Sequence, residues 1–248
     1  MKNNKYKIVF MDIDDTLNVT NGEVSDYAKK VLNNIQKKGI KIVVNTGRSV
    51  QYATEKSKEA NLSNIVIASN GAEIYNYETK EIINEKNIAE EDVLGIYDYA
   101  INHDMSVVLN CLEKRYVNIK DFKYNKEPAI YFDNIEKILK NIRFVHSSNS
   151  LIEEKRHKGK EYYHDLVVER TSKGNGIVEL LDYLNIDSSE AICCGNGYDD
   201  ISMVDVVDLS IASGNACQKL KDISDYVAEP VEKDGVIKVL EKLLLQKD

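Results

Sequence analysis

The chain has 248 residues, 43% of them hydrophobic, and a formal net charge of −8. That length and apolar content allow a sizeable core and exclude a disordered polypeptide. The acidic balance argues against general nucleic-acid binding, whose expected footprint is a basic patch, and no apolar run approaches the ~20 residues that cross a bilayer.

The first apolar stretch, Ile8-Val9-Phe10-Met11, runs directly into Asp12-Ile13-Asp14-Asp15-Thr16. An unbroken run of this kind suits a strand buried on both faces. Because Asp12 cuts the stretch at once, it makes a poor signal peptide, and a cytoplasmic setting is expected. Residues two apart on an extended segment point the same way, so Asp12 and Asp14 are expected to share one side of the strand end. Two such carboxylates repel, and burial raises the cost unless a cation joins them. Mg²⁺ is the simplest partner, since it takes oxygen ligands and commonly uses one or two carboxylates plus substrate phosphate.

Val24, Ala28, Val31, Leu32 and Ile35 then form an apolar stripe at helical spacing, with Ser25 or Asp26 as cap and Gly39 as stop. Ile40–Val44 reads as a second strand ending in Asn45-Thr46-Gly47-Arg48, and a helix spans roughly Val50 to Ala60. A third strand, Ile65–Ala68, ends in Ser69-Asn70-Gly71. This alternation is the doubly wound, Rossmann-like parallel pattern, in which ligands bind beyond the carboxyl ends of the strands. Asp12, Thr46 and Asn70 all fall at such ends.

The pattern changes after Tyr77. The stretch that follows is rich in Lys, Glu, Asn and Tyr, and reads as an inserted α+β module. Expected there are helices at Glu91–His103 and Asn134–Asn141, and strands at Met105–Asn110, Arg115–Ile119 and Ile142–His146. The basic run Lys155–Lys160 is either a solvated face or an anion contact, and His146 and His164 read as structural. The α/β pattern resumes at Leu166–Glu169, and Thr171-Ser172-Lys173-Gly174 opens a helix. The strand Ala191–Cys194 ends in Gly195-Asn196-Gly197-Tyr198-Asp199-Asp200, and an amphipathic helix closes the chain over 234–246. The expected organisation is core 1–77, cap 78–165 and core 166–248. Cys111, Cys193, Cys194 and Cys217 form no metal-binding spacing; the adjacent pair reads as small core residues.

Four strand-end or loop elements stand in order: Asp12-x-Asp14-x-Thr16, Thr46-Gly47-Arg48, Lys173-Gly174 and Gly195-Asn196-x-x-Asp199-Asp200. This order and spacing resemble the haloacid dehalogenase-like phosphatases of Cof type, which carry a large cap after the third strand. Ser69-Asn70-Gly71-Ala72, Ser213-Gly214-Asn215-Ala216 and Asp234-Gly235-Val236 are similar to that group's smaller motifs. The resemblance covers nearly the whole chain and is weak within the insert. It implies a Mg²⁺-dependent phosphatase acting on a small phosphorylated metabolite, such as a sugar phosphate, through an aspartyl-phosphate. Asp12 would be the nucleophile and Asp14 the acid/base. Thr46, Gly47 and Lys173 would bind phosphate, and Arg48, Asn70 and Asn215 would face the substrate or cap. Asp12, the main-chain carbonyl of Asp14, and Asn196, Asp199 or Asp200 would hold the metal.

Two loops depart from the family pattern, at three positions. Asp15 stands where Gly is usual. In the last loop Asn196 replaces an Asp and Asp199 replaces an Asn, so two carboxylates remain. The alternatives are a phosphomutase or other phosphotransferase, and a phospho-ligand-binding protein with an impaired site. Substrate identity and oligomeric state stay open.

Overall fold

The computed structural model describes residues 5–19, 22–103, 107–111, 114–118, 130–131, 134, 145–146, 154–157, 160–162 and 171–246. Strand β1 (Ile8–Met11) lies in the middle of an eight-stranded sheet and is buried on both faces. It pairs in parallel with β2 (Lys41–Asn45) on one side and with β13 (Ala191–Gly195) on the other. Strand β3 (Ile65–Ala68) extends the sheet in parallel past β2, and β14 (Leu209–Ala212) and β15 (Tyr226–Val227) extend it past β13.

The period-two alternation of β1 assigns its side chains to two cores. Val9 and Met11 pack with Ala28, Val31 and Leu32 of α1 (Asp26–Gln36), with Ala53 of α2 (Val50–Glu59) and with the C-terminal helix. Ile8 and Phe10 pack on the opposite face with Ile177, Leu180 and Leu181. Cys193 and Cys194 divide in the same way, one to each core, and both are free thiols. The result is the three-layer α/β architecture that the alternating sequence pattern implied.

The sheet continues further than composition indicated. Strands β4 (Glu73–Asn76) and β5 (Glu81–Glu85) join it antiparallel beyond β3. It thus runs past Tyr77, where the apolar pattern fades. The physical reason is that β5 is an edge strand. Glu81 and Ile82 are exposed, so the strand lacks the unbroken apolar run of a central one.

The insert opens with β6 (Asn87–Ile88) and α3 (Glu90–Asn102), which matches the expected helix to within a residue at each end. Strands β7 (Val108–Asn110), β8 (Arg115–Val117) and β9 (Ile130–Tyr131) form a small sheet of their own. Val93 and Ala100 of α3 pack on Val107, Leu109 and Cys111. Strand β10 (Val145–His146) pairs with β6, and β11 (Glu154–His157) pairs antiparallel with β12 (Lys160–Tyr162), which places Lys155, Arg156, His157 and Lys160 of the basic run on paired strands. The helix expected after Asn134, the strand at 166–169 and His164 lie outside the described residues.

The core closes with α4 (Lys173–Leu184), α5 (Ile201–Val204), α6 (Gln218–Ile223) and α7 (Gly235–Leu244). Serine caps begin three helices: the hydroxyls of Ser25, Ser49 and Ser172 accept the backbone N–H of Ala28, Tyr52 and Asn175. Among the described residues no helix is long and apolar enough to cross a membrane.

Candidate active site

Parallel pairing brings the carboxyl ends of β1, β2 and β13 side by side. The Asp12 N–H donates to the Cys194 carbonyl (3.0 Å), and the Thr46 N–H donates to that of Ile67 (3.0 Å). Beyond these ends the chain must turn sharply. Asp15 takes a left-handed conformation at φ +59°, which accounts for the glycine usual at this position. Aspartate tolerates that region better than most residues. The turn is braced by Asn215, whose Nδ2 donates to the Asp15 carbonyl (2.8 Å) while its Oδ1 accepts from Ser213 Oγ (2.6 Å) and Val231 N–H (2.9 Å). The side chain of Asn215 is thereby committed to holding two loops together.

Lys173, the first residue of α4, is carried to the same place by close backbone packing. A Cβ on Gly174 would overlap the Ser202 carbonyl, and only glycine lets the helix start approach the Asp199–Asp200 loop this closely. Ser202 fastens the contact: its Oγ accepts the Gly174 N–H (3.1 Å) and donates to the Asp199 carbonyl (3.0 Å). Asn45 adds a buried tie, donating from Nδ2 to the Lys173 carbonyl (3.1 Å). Ser202 and Asn45 were not picked out from sequence. A polar residue ending an apolar strand was the available signal for Asn45.

The Lys173 ammonium lies between three carboxylates, at 2.7 Å from Asp12 Oδ1, 2.8 Å from Asp199 Oδ2 and 2.6 Å from Asp200 Oδ1. The other oxygen of Asp200 accepts the N–H groups of Asn196 (2.7 Å) and Gly197 (2.8 Å). Burial pushes the Asp12 carboxyl well above its usual range, with Asp200 and Asp199 adding to the effect and Lys173 opposing it. Burial alone would lower the Lys173 ammonium, but the three carboxylates outweigh it and hold the group firmly protonated. Asp199 goes the other way from Asp12. Its desolvation is overcome by the charge and hydrogen bond of Lys173, which leave it below the ordinary value.

Asp14 is held apart from this cluster. Its Oδ2 accepts from Arg48 Nε (2.7 Å), and the Arg48 guanidinium lies over the Tyr52 ring at 5.0 Å from the centroid. The buried Oδ1 of Asp14 has no hydrogen-bond partner among the described residues. Thr16 Oγ donates to Asn196 Oδ1 (3.0 Å), joining the first and last loops. Thr46 Oγ accepts the Arg48 N–H (3.1 Å), and Asn70 donates its N–H to the Thr46 carbonyl (3.1 Å). A Cβ on Gly47 would crowd Asn70 Oδ1 at 2.9 Å. The structure thus gathers Asp12, Lys173, Asp199 and Asp200 around one ammonium. Asp14 and Arg48 form a second pair, and Asn215 is a brace.

The surplus charge bears on a metal. Three carboxylates against one ammonium leave two negative charges when all are ionised. Among the described residues no three His, Cys, Asp or Glu side chains are grouped to hold an ion alone. Mg²⁺ does not require that, because it is commonly held by one or two carboxylates with other oxygens and substrate phosphate. Asp12, Asn196 and Asp200 offer hard oxygens, the donor type that such an ion takes.

A family model of haloacid dehalogenase-like hydrolases matches residues 9–158 and 131–240. The chain is 26% identical to the phosphoglycolate phosphatase of Archaeoglobus fulgidus, over 96% of this chain and 97% of that one. It is 23% identical to the 5-amino-6-(5-phospho-D-ribitylamino)uracil phosphatase YcsE of Bacillus subtilis, over 96% of each. A haloacid dehalogenase-like hydrolase from Bacteroides thetaiotaomicron shares the fold, with a TM-score of 0.84 and 24% identity over 96% of this chain and 99% of that one. The family match spans both halves of the core and the insert between them, and on that ground the chain belongs to the haloacid dehalogenase-like hydrolases.

Proposed function

We propose that this enzyme is a Mg²⁺-dependent phosphatase that hydrolyses a small phosphorylated metabolite through an aspartyl-phosphate on Asp12. Phosphomonoester hydrolysis is the activity named for the relatives above, and the observation that carries it here is the buried contact of Lys173 with Asp12 at 2.7 Å. That contact sets a cation beside a carboxylate at the carboxyl end of the central strand, where an anionic substrate would meet both.

In the first step an Asp12 oxygen attacks phosphorus. The bond to the leaving oxygen breaks, and Asp14 gives that oxygen its proton. In the second step Asp14 takes a proton from water, which attacks phosphorus, frees inorganic phosphate and regenerates Asp12. Arg48 holds Asp14 through one oxygen and leaves the other for this proton traffic. Acid–base help supplies only about 10²–10⁴-fold, whereas phosphate-monoester hydrolysis needs up to ~10²¹-fold. Positioning and electrostatics must therefore carry most of the acceleration. The Thr46 hydroxyl, the N–H groups of its loop and Lys173 supply this, and Asp12, the Asp14 carbonyl and Asn196 or Asp200 would hold Mg²⁺. The bound ion would add positive charge against the phosphoryl oxygens.

The inserted module, which we take as a cap over roughly 78–165, would exclude water and select the leaving group. Release of phosphate from a generic aryl phosphate, with and without Mg²⁺, tests the reading. Asp12→Asn should lower kcat by at least about a thousandfold, as loss of a nucleophile does elsewhere. Wild-type turnover retained in that variant would remove Asp12 from the role.

A further inference from the structure

An ammonium group has three N–H donors and no more. In this structure the Lys173 ammonium hydrogen-bonds Asp12 Oδ1 (2.7 Å) and Asp200 Oδ1 (2.6 Å) and is ion-paired with Asp199 Oδ2 at 2.8 Å. A substrate phosphate therefore reaches this ammonium only as one carboxylate lets go. The three are not equally able to leave. The Asp200 side chain is 1% exposed, and its second oxygen is fixed by two backbone N–H groups. Asp12 is 7% exposed and directly follows the central strand, its N–H bonded to the Cys194 carbonyl. The Asp199 side chain is 47% exposed and lies at the solvent side of the cluster.

We infer that Asp199 is an internal competitor of the substrate phosphoryl group: its carboxylate fills the Lys173 donor that phosphate must take, and substrate enters by displacing it. The inference rests on the phosphatase reading and deepens it by giving the site a built-in threshold for anions. A phosphoryl group carries more charge and more acceptor oxygens than a carboxylate, so it can win this exchange where a singly charged carboxylate ligand would not. Displaced Asp199 would face water, where its charge is well solvated. Asp199 acts through Lys173 and is a positioning residue. Glycine at 197 leaves room for the Asp199 carboxylate, since a Cβ there would overlap Asp199 Oδ1.

The test is calorimetric titration of the full chain with inorganic phosphate at constant magnesium chloride, for the wild type, Asp199→Asn, Asp199→Glu and Asp15→Asn. Removing the competitor should tighten phosphate by roughly tenfold, the order of one charge-assisted hydrogen bond. Asp199→Glu keeps the carboxylate and should stay near the wild type. Asp15→Asn removes the same charge from the neighbouring loop without touching Lys173, and should tighten phosphate far less. In aryl phosphate turnover KM should fall with Asp199→Asn by a similar factor. Phosphate bound no tighter by Asp199→Asn than by the wild type overturns the inference, and so does equal tightening in Asp15→Asn, which would mean general charge repulsion. Phosphate bound by none of the four proteins overturns the phosphatase reading itself, and the competitor role falls with it.

Discussion

Among the described residues two lysines are almost fully buried against acidic side chains, and they differ in how their charges balance. Lys56, 6% exposed, pairs with Glu59 at 2.7 Å and donates to the Gly22 carbonyl at 2.7 Å. Glu59 is further satisfied by the Val24 N–H (2.7 Å) and by Lys29 at 3.6 Å. Burial would raise the Glu59 carboxyl, but these donors and cations bring it below its usual value. The cluster has no negative surplus, since Lys56 and Lys29 share the one carboxylate of Glu59, and it ties helices α1 and α2 to the loop between β1 and α1. Lys173 has as many close carboxylates as it has donors, and they leave a negative surplus at the ends of the parallel strands. A balanced buried pair is what a scaffold uses. An unbalanced one, aimed where ligands enter, is held by the fold for something that arrives later.

The widest test of this contrast is Lys173→Met. It strands three carboxylates around an apolar side chain, and we expect a loss of about 3–5 kcal/mol, the usual cost of removing one partner from a buried pair. Added Mg²⁺ should restore part of that loss in urea unfolding, because the surplus charge then has another partner. No such rescue, together with an unchanged midpoint, would show the cluster to be ordinary.

Next in size is Glu73, an acid buried beside another acid, Glu85, with the Ser69 hydroxyl donating to it at 2.6 Å. Burial raises its carboxyl to about 7, with Glu85 adding and Ser69 opposing. The folded state then keeps a proton that the unfolded chain releases near its ordinary value of 4.5. Between those values the folded state binds more protons, so stability falls as pH rises from about 4.5 to about 7, by about 3 kcal/mol in all. Glu73→Gln should flatten that slope in unfolding curves taken at pH 5, 6, 7 and 8. A slope identical to the wild type would dismiss Glu73 as its source.

The smallest effect belongs to the balanced cluster. Lys56→Met should cost about 1–3 kcal/mol through the stranded carboxylate and carbonyl, leave aryl phosphate turnover unchanged, and show no rescue by Mg²⁺. Rescue here as well as in Lys173→Met would erase the distinction between the two lysines.

The core was legible because β1, β2, β3 and β13 are buried on both faces and so read as unbroken apolar runs. The same runs located Asp12, Thr46 and Asn70, which follow them directly. Strand β5 was not legible, since an edge strand needs apolar residues on one face only. In the insert the first helix was legible, and strands β7 and β8 fall within the stretches expected at Met105–Asn110 and Arg115–Ile119. Within the site, residue types and order were enough to nominate Lys173 and Asp12 together. Nothing in a linear sequence could assign Asp199 to the ammonium, because the assignment depends on a glycine-mediated approach between α4 and a loop more than twenty residues away. Asn215, nominated for substrate, spends its amide on the Asp15 turn, a role fixed by three contacts from separate segments.

The central place of β1 has a consequence for how the protein comes into being. Its neighbour β13, which accepts the Asp12 N–H, leaves the ribosome only after the whole insert has been made. During that interval the edge of β1 that β13 will cover lacks its partner, leaving unpaired N–H and C=O groups between apolar side chains, the kind of template that recruits foreign strands. Asp12 is thus made well before the strand whose Cys194 carbonyl accepts its N–H. A slower or longer insert would lengthen the time at risk without altering the finished enzyme. Yield at higher growth temperature is therefore where insert variants would first betray themselves, ahead of any change in turnover.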